Sequence, residues 1–160
     1  ALKQGLKLLQ VREKSMPATQ LADFARRVVE LAHAHGAQVL INHDAGLAAQ
    51  VGADGVHLTG EQLAQCEARP AFALVAASTH SRAEIERAAA LMLDFAVLGA
   101  VHATASHPGQ VPLGWPQFAD MVASAPLPVY ALGGMSMADL GDARAAGAHG
   151  IAMQRAEYAA

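Results

Sequence analysis

Gln10, Arg12 and Lys14 place an amide and two cations, two residues apart, in the run QVREK at the end of an apolar stretch over residues 6–11. If the strand stays extended through Lys14, all three side chains project the same way. Two cations and an amide converging just before a Pro17 turn suit an anionic group such as phosphate or pyrophosphate. The alternative is a strand whose last residues are simply solvated. A second group of hydroxyl and imidazole side chains lies at residues 102–107, where His102 and His107 bracket Thr104 and Ser106. A neutral imidazole beside hydroxyls suits proton abstraction near physiological pH.

Eight histidines is a high count for 160 residues. His33, His35 and His149 flank helix ends or open a strand, and read as surface or capping groups. His57, inside GVHL, reads as a core or strand-end histidine. His80, after Ser78 and Thr79, falls at the C-terminal end of a strand. Cys66 stands alone, so the sequence carries neither a disulfide framework nor a cysteine-based metal site.

Such side chains need a scaffold, and the hydrophobic rhythm supplies one. Apolar strands are predicted at about residues 6–12, 37–42, 55–58, 72–78, 94–101, 128–132 and 149–153. Amphipathic helices alternate with them, the clearest at about 19–35, 81–92, 115–124 and 136–146. The strands are uniformly apolar, as expected of a parallel sheet covered on both faces. Helix stops recur as AHG, VGADG and AAGAHG, and Ser81 and Ser136 read as N-caps. Strict alternation at this spacing predicts a βα barrel or a doubly wound sheet. The expectation is an α/β TIM (β/α)8 barrel in a single domain, residues 1–160. Seven strands are counted where a closed barrel has eight. The opening ALKQG resembles the last turn of a helix, and GIAMQRAEYAA stops just after a strand. The first strand and the last helix are therefore expected to lie outside these residues.

Composition sets the remaining bounds. At 53% hydrophobic, the chain buries one sizeable core. A net charge of −3 and a pI near 6.2 argue against nucleic acid or a membrane surface as partner. The longest apolar stretch, about residues 88–101, is broken by Asp94 and falls short of the roughly 20 residues a membrane span needs. A cytoplasmic location is expected, and a homo-oligomer stays open.

The segments QVREK, INHDAGLAAQVGADGVHL, STHS, the TxS of Thr104 to Ser106, and ALGGM resemble, in this order, the thiamine phosphate synthase family and its tautomerase-type sister, TenI. The resemblance runs from about Leu6 to Ala156. It implies a TIM barrel and the magnesium-dependent coupling of a pyrimidine pyrophosphate to a thiazole phosphate, or, in tautomerase-type members, the isomerisation of a thiazole carboxylate phosphate. The implied partner is thus a small phosphorylated thiazole or pyrimidine. On the matching positions, Gln10, Arg12 and Lys14 bind pyrimidine and pyrophosphate, and Asn42 is the family's strand-end asparagine. Thr104 and the Gly133 amide meet the thiazole phosphate, and Ser106 occupies the position of a second hydroxyl. Gly134 and Arg155 complete the usual phosphate site of such barrels, at the loops after the last two strands.

The departures are as plain. His43 and Gln62 replace the family's magnesium aspartates, and His107 replaces its pyrophosphate lysine. Magnesium is expected from the family, yet imidazole and carboxamide are poor ligands for a hard cation that takes carboxylate and water oxygens. Efficient synthase turnover is therefore not expected. TenI carries a catalytic histidine immediately after the glycine of the resembling strand, where this chain has Ala100. His102 lies two residues further on, on the same side if the strand continues, as a displaced base or a substrate-orienting or solvated group. The expectation is a divergent synthase-like transferase or tautomerase-like isomerase with His102 or His107 as base. The alternative is a non-catalytic, phosphate-ligand-binding regulatory domain attached to a Nudix hydrolase.

Overall fold

A computed structural model describes residues 1–13, 15–104, 109 and 111–154. Seven parallel strands form one sheet in chain order: β1 (Leu8–Val11), β2 (Gln38–Asn42), β3 (Gly55–Leu58), β4 (Leu74–Thr79), β5 (Phe95–Gly99), β6 (Val129–Leu132) and β7 (Gly150–Ala152). All seven predicted strands are present. Six helices pack outside: α1 (Ala18–Ala34), α2 (Ala45–Val51), α3 (Gly60–Gln65), α4 (Arg82–Ala90), α5 (Gly114–Val122) and α6 (Leu140–Ala145). Among the described residues β1 and β7 are the edges, each with one partner, so an α/β sheet is seen and a closed barrel is not.

Local chemistry fixes the helix ends. Asp44 accepts from the Leu47 N–H to start α2, and Ser81 from the Glu84 N–H to start α4. Thr59 and Gln62 form a reciprocal capping box on α3. The glycines of the three predicted stops, Gly36, Gly52 and Gly147, all take positive φ. Residues 1–5 form a single 3-10 turn, Leu2–Gln4, closed by Gly5.

Alternation along the strands separates two faces. The outer face packs on the helices in three clusters centred on Val39 and Ile41, on Val56 and Val75, and on Leu98 and Ala131. The inner face joins Leu40, Ala76, Phe95 and Val97 to Leu8, Leu74, Tyr130, Leu132 and Ala152. Towards the C-terminal ends that same face turns polar, with Gln10, Asn42, His57 and Ser78. At the N-terminal ends two aspartates tie neighbouring strands together. Asp54 Oδ2 accepts from the Val39 N–H at 2.7 Å and lies 2.9 Å from His33 Nε2. Asp94 Oδ2 accepts from the Val75 N–H and from Arg69, each at 2.7 Å.

Gly55 marks the tightest approach in the sheet. A Cβ there would lie 1.6 Å from the Leu74 carbonyl oxygen and 2.9 Å from Leu40 Cδ2. Gly55→Ala is expected to destabilise the fold by about 1–3 kcal/mol, because a backbone atom, unlike a side-chain end, cannot swing aside. A fall in the urea midpoint at constant slope is the expected result; an unchanged midpoint would show that the strands part freely.

Candidate functional site

The C-terminal ends of parallel strands gather the polar side chains, and they do so in two groups. The first lies across β1 to β4. Gln10 lies in β1, and the strand ends at Val11, one residue short of the predicted bound. Beyond it Glu13 turns back, its Oε1 accepting from the Ser15 N–H and Oγ at 2.8 and 2.7 Å. Arg12 is exposed just past the strand, and Asn42 ends β2 half-buried. Lys14 lies outside the described residues.

His57 is the buried centre of this group, only 2% exposed. Its Nε2 sits 2.9 Å from Ser78 Oγ, whereas Nδ1 is buried without a hydrogen-bond partner among the described residues. Burial, reinforced by the positive charge of Arg12, pushes its pKa down to about 4, so the ring is neutral at physiological pH. The sequence reading of a satisfied core or strand-end histidine holds for the burial and is corrected at Nδ1, which has no partner among the described residues. The signal available was register: His57 pairs with Ala76, two residues before Ser78 on the same face.

The positions implied for magnesium are occupied by groups with other duties. Gln62 Nε2 donates to the His43 carbonyl at 2.8 Å, while its Oε1 accepts from the Thr59 N–H at 3.1 Å. Both ends of that carboxamide are thus engaged in joining the β2 loop to α3. His43 is exposed at φ 56, and the neighbouring Asp44 is committed to capping α2. Among the described residues no three His, Cys, Asp or Glu side chains cluster as a metal site. A hard divalent cation does not fit this donor set.

The second group is built from residues 100–104 and the turn after β6. β5 ends at Gly99, so the extended strand predicted to carry His102 is absent, and a loop positions it instead. Loop and turn are stitched by hydrogen bonds from the Val101 N–H to the Leu132 carbonyl (2.9 Å) and from the His102 N–H to the Gly133 carbonyl (3.1 Å). Gly133 is required here: its φ is 104°, and a Cβ would fall 2.6 Å from the Ala100 Cβ. A Cβ on Gly134 would likewise meet His102 Cβ at 2.9 Å. Among the described residues neither the Gly133 nor the Gly134 N–H has a backbone acceptor.

On this loop Thr104 Oγ1 is buried and has no hydrogen-bond partner among the described residues. His102 is half-exposed, with Nε2 3.4 Å from Asp139 Oδ1 and its ring edge-on to Trp115 at 5.4 Å. His80 is a tie between strands, its Nδ1 2.8 Å from the Gly99 carbonyl. His35 caps α1 through the Leu31 carbonyl, and His33 pairs with Asp54, as expected of helix-end groups. Ser106, His107 and Arg155 lie outside the described residues. The structure thus brings His102 onto the Gly133 and Gly134 turn, with Thr104 two residues further along the same loop, and Gln10, Arg12 and Asn42 on the β1–β2 side of the same rim. No helix among the described residues is long and apolar enough to cross a membrane.

Comparison with known proteins bears on this arrangement. The profile of the family described as "Thiamine monophosphate synthase" matches residues 1–156. A thiamine-phosphate synthase of Gloeobacter violaceus is 39% identical over 163 residues, which take in 100% of this chain and 48% of that protein. One from Thioalkalivibrio sulfidiphilus is 33% identical, covering 99% of this chain and 77% of the relative. The chain therefore spans about half the length of the first of these relatives. Among solved structures, thiamine phosphate pyrophosphorylase from Pyrococcus furiosus superposes with a TM-score of 0.78 at 23% identity, over 95% of this chain and 74% of that one.

Proposed function

The chain belongs to the thiamine monophosphate synthase family, and from that premise we propose that it binds a phosphorylated thiazole through Thr104, Ser106 and the Gly133 and Gly134 amides, without efficient magnesium-dependent synthase turnover. The observation that carries this reading is the buried Thr104 hydroxyl, unpartnered among the described residues, two residues beyond His102, whose N–H bonds the Gly133 carbonyl. An unsatisfied buried hydroxyl costs about 1–3 kcal/mol, which a ligand oxygen within reach would relieve. Backbone N–H groups in a positive-φ turn suit an anion. Arg155 would add a second cation to the phosphate, and Gln10, Arg12, Lys14 and Asn42 would form the pyrimidine and pyrophosphate half. His102 or His107 would serve as base for a metal-independent proton shift. The same reading takes the seven strands as part of an eight-stranded barrel, with one further strand between the β1 and β7 edges.

A second reading, a domain that holds the phosphorylated ligand without turning it over, draws on one observation. Gln62 and Asp44 are both spent on structural hydrogen bonds. One set of experiments on the full-length polypeptide separates the readings. Calorimetry with a thiazole phosphate is expected to show binding that weakens about tenfold in Thr104→Val, a loss of about 1.4 kcal/mol. Turnover of a thiazole carboxylate phosphate without metal supports the isomerase reading, and binding without turnover supports the second. No binding, or robust magnesium-dependent synthesis by the parent, overturns the proposal.

A further inference from the structure

We propose that Asp139 is a positioning residue for His102, holding the imidazole as its Nε2–H tautomer so that Nδ1 offers its lone pair at the phosphate rim. The inference deepens the reading of this rim as a proton-shifting site for a phosphorylated carbon acid and rests on it for its chemistry. Its geometry stands independently.

The two oxygens of Asp139 have separate duties. Oδ2 accepts from the Ser136 N–H at 2.8 Å and from Ser136 Oγ at 2.7 Å. The Asp139 N–H returns a bond to the Ser136 carbonyl at 3.1 Å. This closed turn fixes the carboxylate and leaves Oδ1 facing His102 Nε2 at 3.4 Å. Ser136's two donors hold the Asp139 carboxyl below its ordinary range. The carboxylate therefore stays ionised wherever a neutral imidazole is useful.

The imidazole is held from its other sides as well. Its backbone N–H is bound to the Gly133 carbonyl, and Gly134 allows its Cβ to approach so closely that no other residue would fit there. Trp115 meets the ring at an interplanar angle of 87° and is itself braced edge-on by the fully buried Phe118 at 5.8 Å. A ring so restrained, with a carboxylate at one nitrogen, has one tautomer favoured and, among the described residues, no hydrogen-bond partner at the other nitrogen. When Nδ1 takes a proton from carbon, the C–H bond breaks, its electron pair stays on the substrate, and the new N–H leaves an imidazolium beside Asp139. That carboxylate stabilises the charge, as oriented carboxylates do for histidine bases elsewhere. In sequence, SMAD looks only like a helix start; its partner lies 37 residues away in the chain.

The test uses the full-length polypeptide, 15N-labelled at histidine, with Asp139→Asn and Asp139→Ala variants. Asparagine keeps the Ser136 turn and removes the charge, so it separates positioning from folding. The parent is expected to show His102 predominantly as the Nε2–H tautomer, and both variants a mixed population. Given a thiazole carboxylate phosphate, kcat is expected to fall about tenfold at unchanged KM, with Asp139→Glu recovering part of it. An unchanged tautomer in both variants overturns the positioning role. A changed tautomer in a parent that lacks turnover keeps that role and defeats the proton-shift reading instead.

Discussion

The combined replacement of His43→Asp, Gln62→Asp and His107→Lys is expected to raise magnesium-dependent thiamine phosphate formation by about 10²–10³-fold over the parent. Pyrophosphate departure develops negative charge, and a preorganised group of opposite sign at such a point typically contributes that factor. Two carboxylates would supply the hard oxygen donors that imidazole and carboxamide do not. His43 sits at φ 56, a conformation aspartate tolerates nearly as well as histidine, so the first exchange strains nothing. Gln62→Asp is different. The shorter side chain loses the bond to the His43 carbonyl, at a cost of about 1 kcal/mol, while the cap on α3 survives in aspartate form. The single Gln62 variant should therefore be less stable and no more active, and the gain should appear when the three changes are combined. Steady-state rates with a pyrimidine pyrophosphate and a thiazole phosphate decide the matter. A triple variant no faster than the parent would place the deficiency elsewhere in the sheet.

Acid should weaken this fold through His57. Its folded pKa of about 4 lies below the unfolded value near 6.5, so between those limits the unfolded chain binds the extra proton. Stability is then fully present above about pH 6.5, falls as pH drops, and levels off below about pH 4. The full loss is about 3 kcal/mol, since each tenfold weakening of proton affinity on folding is worth about 1.4 kcal/mol. Urea titrations of the parent and His57→Gln across this range should differ by a slope that vanishes above pH 6.5. Parallel pH profiles for the two proteins would show that His57 protonates without penalty, as it would if water reached Nδ1.

Much of the scaffold was legible because its signals are local. Uniformly apolar runs gave all seven strands, and Ser81 and the glycine stops gave helix ends, since each depends on residues within a few positions. Spacing alone misled where it had to assume that a strand continued. β5 halts at Gly99, so the strand placement of His102 did not follow, and β1 halts at Val11, short of Arg12. The long-range partnerships were out of reach for another reason. His57 with Ser78, Gln62 with the His43 carbonyl, and His102 with Asp139 each join separate βα units. No local pattern distinguishes a glutamine that staples two loops from one facing solvent. The family resemblance implies metal ligands at the positions of His43 and Gln62, and the structure shows the hydrogen bond that joins them.

The two aspartates at the opposite end of the sheet have a further consequence. A strand that is apolar on both faces buries nearly as much surface after sliding two residues along its neighbour, so hydrophobicity provides no vernier for alignment. Asp54 and Asp94 provide one: each carboxylate indexes the preceding strand through a single N–H, that of Val39 or Val75. A slipped sheet would strand a partly buried carboxylate away from its donor. Alignment is thereby set by groups remote from the rim. The rim can therefore vary its side chains, His43 and Gln62 among them, while the strands beneath keep their places.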